Sequence, residues 1–187
     1  MVKDFKRKQR ISVYRNQLAE INSPNDVWSA DFKGQFRLGN KQYCYPLTIT
    51  DNYSRYFLQC KIVPGTKLLE TKKGFIEAFQ KYGLPKVIRT DNGIPFASAG
   101  ACGLSRLSLW FVKMDIIPER IPLGHPECNG RHERMHRTLK AETTKPPGYD
   151  FIEQQDKFNQ FISLYNCIRP HEALNGKRPQ ELYIHSD

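Results

Sequence analysis

The stretch Lys67–Gly93, KLLETKKGFIEAFQKYGLPKVIRTDNG, decides the architecture. Leu68, Leu69, Phe75, Ile76 and Phe79 recur at the spacing of an amphipathic helix, expected over 67–82. Gly83-Leu84-Pro85 stops that helix. Lys86–Thr90 is then a short buried strand, and Asp91 follows at its end. A helix that leads into a buried strand makes a crossover, whereas the chain before it is punctuated by turns.

Working outward, Ser23-Pro24-Asn25-Asp26 is turn chemistry and marks the start of a core. Three β-like runs follow, Val27–Gly34, Tyr43–Asp51 and Arg55–Val63, with a hairpin signal at Gly39-Asn40. Beyond Asp91, residues 94–105 are rich in Ala, Gly and Ser and are expected to form a loop. Leu104–Met114 is expected to be helical, and Ile116–Ile121, interrupted by Pro118, a short edge strand. Pro122–Asn129 is loop, Gly130–Glu142 a helix, Pro146-Pro147-Gly148 a break and Phe151–Ile168 a second long helix. The pattern predicts an α/β fold with a mixed five-stranded sheet, three strands antiparallel and two parallel, flanked by helices. Residues 1–25 are expected to be a basic extension or linker, 26–175 the core and 176–187 a tail.

The chain has 187 residues, 39% of them hydrophobic, which is enough to bury a core. No segment has the apolar length of a membrane span. The N-terminus, MVKDFKRKQR, lacks the apolar run of a secretory signal, so a cytoplasmic protein without a membrane partner is expected. Cys44, Cys60, Cys102, Cys128 and Cys167 are scattered and form no C-x-x-C pair, the pattern of reduced thiols. His125 and Cys128 have a spacing that zinc could use, but no second such pair lies nearby. The net charge of +10 favours a polyanionic partner, above all nucleic acid.

Three carboxylates stand out in so basic a chain. Asp31 in WSADFKG and Asp91 in VIRTDNG each end an apolar strand-like run, and Glu133 in NGRHERMH opens a helix. Acids delivered from strand ends and a helix start can converge, and without a cation they would repel one another. Divalent Mg²⁺ prefers carboxylate oxygens, and two such ions can activate a nucleophile and stabilise a leaving oxygen at one phosphorus. The spacing of Glu133, His136, Arg137 and Lys140 puts them on a shared helix face.

TDNG, then HPECNGRHERMHRTLK, then YNCIRPHEALNGKRP, closely resembles the integrase catalytic core of bacterial insertion-sequence transposases. These are related to retroviral integrases and share the ribonuclease H-like fold. The resemblance covers roughly Asn25 to Tyr183. It implies a D, D, E triad that uses Mg²⁺ or Mn²⁺, as two ions, to cut DNA at transposon ends and to join the 3′-OH to target DNA. It also implies a homo-oligomer on DNA. A ribonuclease H-like nuclease that only hydrolyses, or an inactive DNA-binding remnant, are the alternative readings.

Transferred residue by residue, the triad is Asp31, Asp91 and Glu133, the same residues that would hold metal. Glu127, 36 positions after Asp91, has the familiar triad spacing, whereas Glu133 lies 42 positions after it. The family's glutamate follows N-G-x-x at a helix start, which selects Glu133. The resemblance places Arg137 and Lys140 beside that glutamate toward phosphate. His136, Asn92 and Asn129 are further candidates for the DNA face. Asn92 and Gly93 would also shape the turn after Asp91, and Asn129 would also cap the helix. Asp51, a rival acid, is expected to be structural, and Asn166, Arg169, Pro170 and His171 are expected mainly to pack.

Overall fold

Strand β1 (Val27–Phe32) is the axis of the molecule. A computed structural model of the chain describes residues 18–97, 104–122 and 130–186. After β1 come the two-residue β2 (Phe36–Arg37), β3 (Tyr43–Asp51) and β4 (Phe57–Val63). Helix α1 (Leu68–Tyr82) then crosses over to β5 (Val87–Thr90). Helix α2 (Arg106–Val112) leads to β6 (Ile117–Arg120), and α3 (Gly130–Thr143) and α4 (Phe151–Cys167) close the fold.

The sheet order is β2-β3-β1-β5-β6, with β4 paired to β3. Strand β1 runs antiparallel to β3, from Trp28 opposite Asp51 to Phe32 opposite Leu47. On its other side it runs parallel to β5, from Val27 opposite Val87 to Ala30 opposite Thr90. Strands β5 and β6 are also parallel. The expected split of three antiparallel and two parallel strands is therefore present. The sixth strand, β2, pairs Phe36 with Cys44. Two residues carry no periodicity, so the sequence pattern could not separate β2 from the loop around it.

Alternation along the strands sorts side chains onto two faces. On one face Trp28, Ala30, Leu47, Ile49, Leu58 and Ile88 pack with Phe75 and Ala78 of α1 and Leu107 and Phe111 of α2. Gly74 lets α1 approach, because a Cβ there would come within 2.8 Å of Leu47 Cδ2. On the other face Cys44, Phe57 and Cys60 pack with Met135 and Leu139 of α3 and Phe158, Phe161 and Tyr165 of α4. Each fully buried aromatic or aliphatic side chain contributes about 1.5–3 kcal/mol. The same alternation turns Asp31, Thr48, Thr50 and Arg89 toward the face that α3 and α4 cover.

Helix α4 also closes the free edge of β4. Asn166 accepts the Phe57 N–H at 2.8 Å and donates to the Phe57 carbonyl at 3.0 Å. Gln155 accepts the Ile62 N–H at 3.0 Å and donates to the Cys60 carbonyl at 2.8 Å. Arg169 forks onto Glu142, with both contacts at 2.9 Å. The segment expected as a tail packs back onto the core through Ser186 N–H to the Tyr82 carbonyl and through Tyr183 stacked on Tyr56.

Asp51 is buried at 1% exposure and is fully engaged. It accepts the Asn25 N–H at 2.8 Å and both the N–H and the hydroxyl of Ser54, at 2.8 and 2.6 Å. This rival acid fastens the turn between β3 and β4. Cys44, Cys60 and Cys167 are free thiols, and burial pushes the Cys44 thiol up to about 12. No described helix is long and apolar enough to cross a membrane. The zinc-compatible pair His125 and Cys128 lies outside the described residues.

Candidate active site

Register puts Asp31 and Asp91 each one residue beyond the last matched pair of β1 and β5. Ala30 faces Thr90 across the parallel pair, so the next residue on each strand is an aspartate. Neighbouring strands lie roughly 4.8 Å apart, and side chains at matched positions emerge on the same face. Asp91 follows the last residue of β5 and Asp31 follows that residue's partner on β1, so both start from the carboxyl end of the parallel pair. There the sheet changes from antiparallel to parallel, the kind of switch point at which α/β folds place their sites.

The turn after β5 holds Asp91 in place. Its Oδ1 accepts the Gly93 N–H at 3.0 Å, and Asn92 Nδ2 donates to the Ile121 carbonyl at 2.8 Å. A Cβ at Gly93 would stand 2.9 Å from Asp91 Oδ2, which is why the TDNG motif needs glycine there. Asn92 thus anchors this turn to the end of β6.

Helix α3 lies across Asp31. Its inward stripe is His132, Met135, His136, Leu139 and Thr143, all buried. Thr48, opposite Asp31 on β3, is the junction with the sheet. Its Oγ1 lies 2.7 Å from His132 Nε2, 2.6 Å from His136 Nε2 and 2.9 Å from the Asp31 carbonyl. His132 Nδ1 is 3.2 Å from Thr50 Oγ1. His136 Nδ1 is 3.9 Å from Asp31 Oδ2. Burial holds both imidazoles in the neutral form, pushing His132 down to about 3. Burial, His132 and Lys33 together push His136 down to about 2.

Helical spacing predicts that His136 faces DNA beside Arg137 and Lys140. Its ring is instead buried against Thr48, 8% exposed, while Glu133, Arg137 and Lys140 stay exposed. Glu133 sits in the first turn of α3, one turn before His136, so it reaches the surface next to the ring that approaches Asp31. Asn129 and Glu127 lie outside the described residues.

Sequence reasoning missed Lys33, Thr48 and His132. Lys33 follows Asp31 by two, so strand alternation already put the two on one face. Burial and the Lys140 ammonium hold the Lys33 pKa below its usual value, with Asp31 pulling the other way. Lys33 therefore lies within electrostatic reach of both the Asp31 carboxylate and the Lys140 ammonium of α3. The spacing of His132 and His136 at i and i+4 was the signal for their shared face.

Carboxylates emerging at the switch point of a mixed sheet, under a helix that presents a third, define a ribonuclease H-like domain. The chain belongs to the integrase core domain family, whose models match residues 21–126 and 114–179. It is 26% identical over 181 residues to an insertion element IS407 protein of Burkholderia multivorans, covering 96% of this chain and 63% of that protein. It is 32% identical over 124 residues to the Gag-Pol polyprotein of baboon endogenous virus, covering 66% of this chain and 7% of the polyprotein. The chain thus spans less than two thirds of the length of either relative. The HTLV-2 integrase catalytic core domain, solved in complex with magnesium, superposes with a TM-score of 0.68 at 19% identity, over 87% of this chain and 98% of that one. At that identity the likeness concerns the fold alone.

Proposed function

We propose that this chain is the catalytic core of a DDE transposase or integrase, which cuts DNA strands and joins a 3′-OH to target DNA. The observation that supports this most directly is the parallel register of β1 with β5, from whose matched ends, Ala30 and Thr90, Asp31 and Asp91 follow. The donor set fits a divalent ion: the Asp31 carboxylate has imidazole nitrogens of His132 and His136 within 4.8 Å of its oxygen, and Asp91 follows the end of the neighbouring strand. Asp31, Asp91 and Glu133 would hold Mg²⁺ or Mn²⁺. When bound, a pair of such ions supplies charge neutralisation at the phosphorus and a more acidic attacking hydroxyl.

The chain's own residues supply the positioning. Strand β1 carries Asp31 within its ladder to β3, Asp91 follows the last residue of β5, and the Gly93 N–H holds the Asp91 carboxylate. Arg137 and Lys140 offer exposed cations beside Glu133 for the phosphates that flank the scissile bond. Lys33 adds a partly buried ammonium close to Asp31. In the cutting step water attacks and the 3′-oxygen leaves. In the joining step that 3′-OH attacks a target phosphodiester, and the target strand's own 3′-oxygen leaves. Catalysis of this kind is mostly positioning and charge stabilisation. Two DNA ends must be processed together, so a multimer on DNA is part of the proposal.

The test is a Glu133→Gln variant of the full chain, incubated with a duplex carrying a terminal repeat of its own element and Mg²⁺ or Mn²⁺. Cutting and strand transfer are expected to disappear while duplex binding survives. Undiminished cutting by the variant would refute Glu133 as a member of the triad. Cut ends without any joined product in the wild type would instead favour a nuclease that only hydrolyses.

A further inference from the structure

We propose that His136 Nδ1 is a ligand of the divalent ion carried by Asp31, which makes this a mixed oxygen and nitrogen site. The inference rests on the metal-dependent reading above and adds a donor to it.

The argument starts from hydrogens at Thr48. Its hydroxyl carries one hydrogen and meets three partners: the Asp31 carbonyl and the Nε2 atoms of His132 and His136. The carbonyl brings no hydrogen, so the hydroxyl must donate there. Its two lone pairs then accept an Nε2–H from each imidazole. A neutral ring has only one N–H, so each Nδ1 carries a lone pair. For His132 that lone pair accepts from the Thr50 hydroxyl at 3.2 Å.

For His136 the Nδ1 lone pair faces Asp31 Oδ2 at 3.9 Å. That distance is too long for a hydrogen bond, so a hydrogen on Nδ1 would not reach the carboxylate. A lone pair opposite an anionic oxygen is repulsive, and a cation placed between them binds both. Two metal–ligand bonds of about 2.1 Å each span more than this gap, so one ion reaches both atoms. His132 is excluded as a ligand, because both of its nitrogens are occupied by threonine hydroxyls. Thr48 acts as a positioning residue: it takes the Nε2–H and so leaves Nδ1 available. Metal-bound histidines are commonly fixed in this way through the other ring nitrogen. An imidazole ligand inclines the site toward Mn²⁺ over Mg²⁺.

The test is pulsed electron paramagnetic resonance on the full chain labelled with ¹⁵N-histidine and loaded with Mn²⁺, with and without a short duplex. A directly bound nitrogen is expected in the wild type, lost in His136→Gln and retained in His171→Gln. Thr48→Val keeps the ring and removes the acceptor of its Nε2–H, so the nitrogen signal is expected to weaken. That variant carries the test should His136→Gln fail to fold. Bound Mn²⁺ with no nitrogen signal, or a signal that survives in His136→Gln, overturns the inference and leaves the carboxylate reading intact. No Mn²⁺ binding in any condition overturns both.

Discussion

Asn166 of α4 holds the main chain of Phe57 at both ends, accepting its N–H at 2.8 Å and donating to its carbonyl at 3.0 Å. Among the described residues β4 has no strand on its outer side, and unpaired edges invite pairing between chains. The helix answers each exposed backbone group with a side-chain amide, and Gln155 repeats the device further along the strand. Replacing Asn166 by Ala leaves two buried backbone groups without partners, an expected loss of about 2–4 kcal/mol. Urea unfolding followed by circular dichroism measures it. Adding Gln155→Ala is expected to increase concentration-dependent association, read by light scattering.

Gly93→Ala addresses the site without addressing the core. The new Cβ would stand 2.9 Å from Asp91 Oδ2, so the carboxylate has to turn away. Gly93 lies in an open turn after β5, and the unfolding midpoint is expected to shift by only a few degrees, corresponding to about 1 kcal/mol or less. Strand cutting is expected to fall by orders of magnitude. Near-normal turnover with a lowered melting temperature would mean that the turn is structural and does not position Asp91.

Arg137 and Lys140 carry the prediction about DNA. Both are exposed on the outer side of α3, beside Glu133. Replacing either by Ala is expected to weaken duplex binding similarly for all sequences. The slope of log affinity against log salt is expected to drop by about 0.9 for each phosphate that is no longer neutralised. Fluorescence anisotropy across a salt series checks this, and an unchanged slope in the double variant removes these residues from the DNA face.

Asp26 gives the chain an acid-sensitive fastening. Its carboxylate accepts the N–H groups of Asn22 and Ser23 and the Lys86 ammonium. Burial raises its pKa, but those hydrogen bonds outweigh it and bring the group down to about 2. A carboxyl whose folded pKa is depressed stabilises the fold above its unfolded value near 3.8. That contribution is lost as pH falls from there toward about 2. The stability advantage of wild type over Asp26→Asn is therefore expected to be full at pH 7 and to shrink below pH 4. Denaturant midpoints of the two proteins across that range make the comparison.

Much of this was legible in the chain, for reasons tied to particular residues. Apolar periodicity placed α1 and α4 within a residue or two, because Phe75, Ala78, Phe158 and Phe161 must face the sheet. The two aspartates stood out because each ends an apolar run, and the register of β1 with β5 starts both from matched strand ends. The strand β2 was not legible, since two residues hold no pattern. Nor was the orientation of His136. Spacing put it beside Glu133, but only the position of Thr48 on a different strand turned its ring inward. Contacts between remote elements, such as Asn166 with Phe57, leave no local trace in sequence.

Strand β1 has β3 bonded to one edge and β5 to the other, so none of its backbone is free to slide. The backbone points from which Asp31 and Asp91 follow, Ala30 and Thr90, are therefore set by the ladder, like two marks on adjoining rulers. They do not depend on any side chain reaching for another. Losing that alignment means breaking the centre of the sheet, the part of a protein that opens last in hydrogen exchange. The strand ends from which the two acids follow remain matched for as long as that centre is intact.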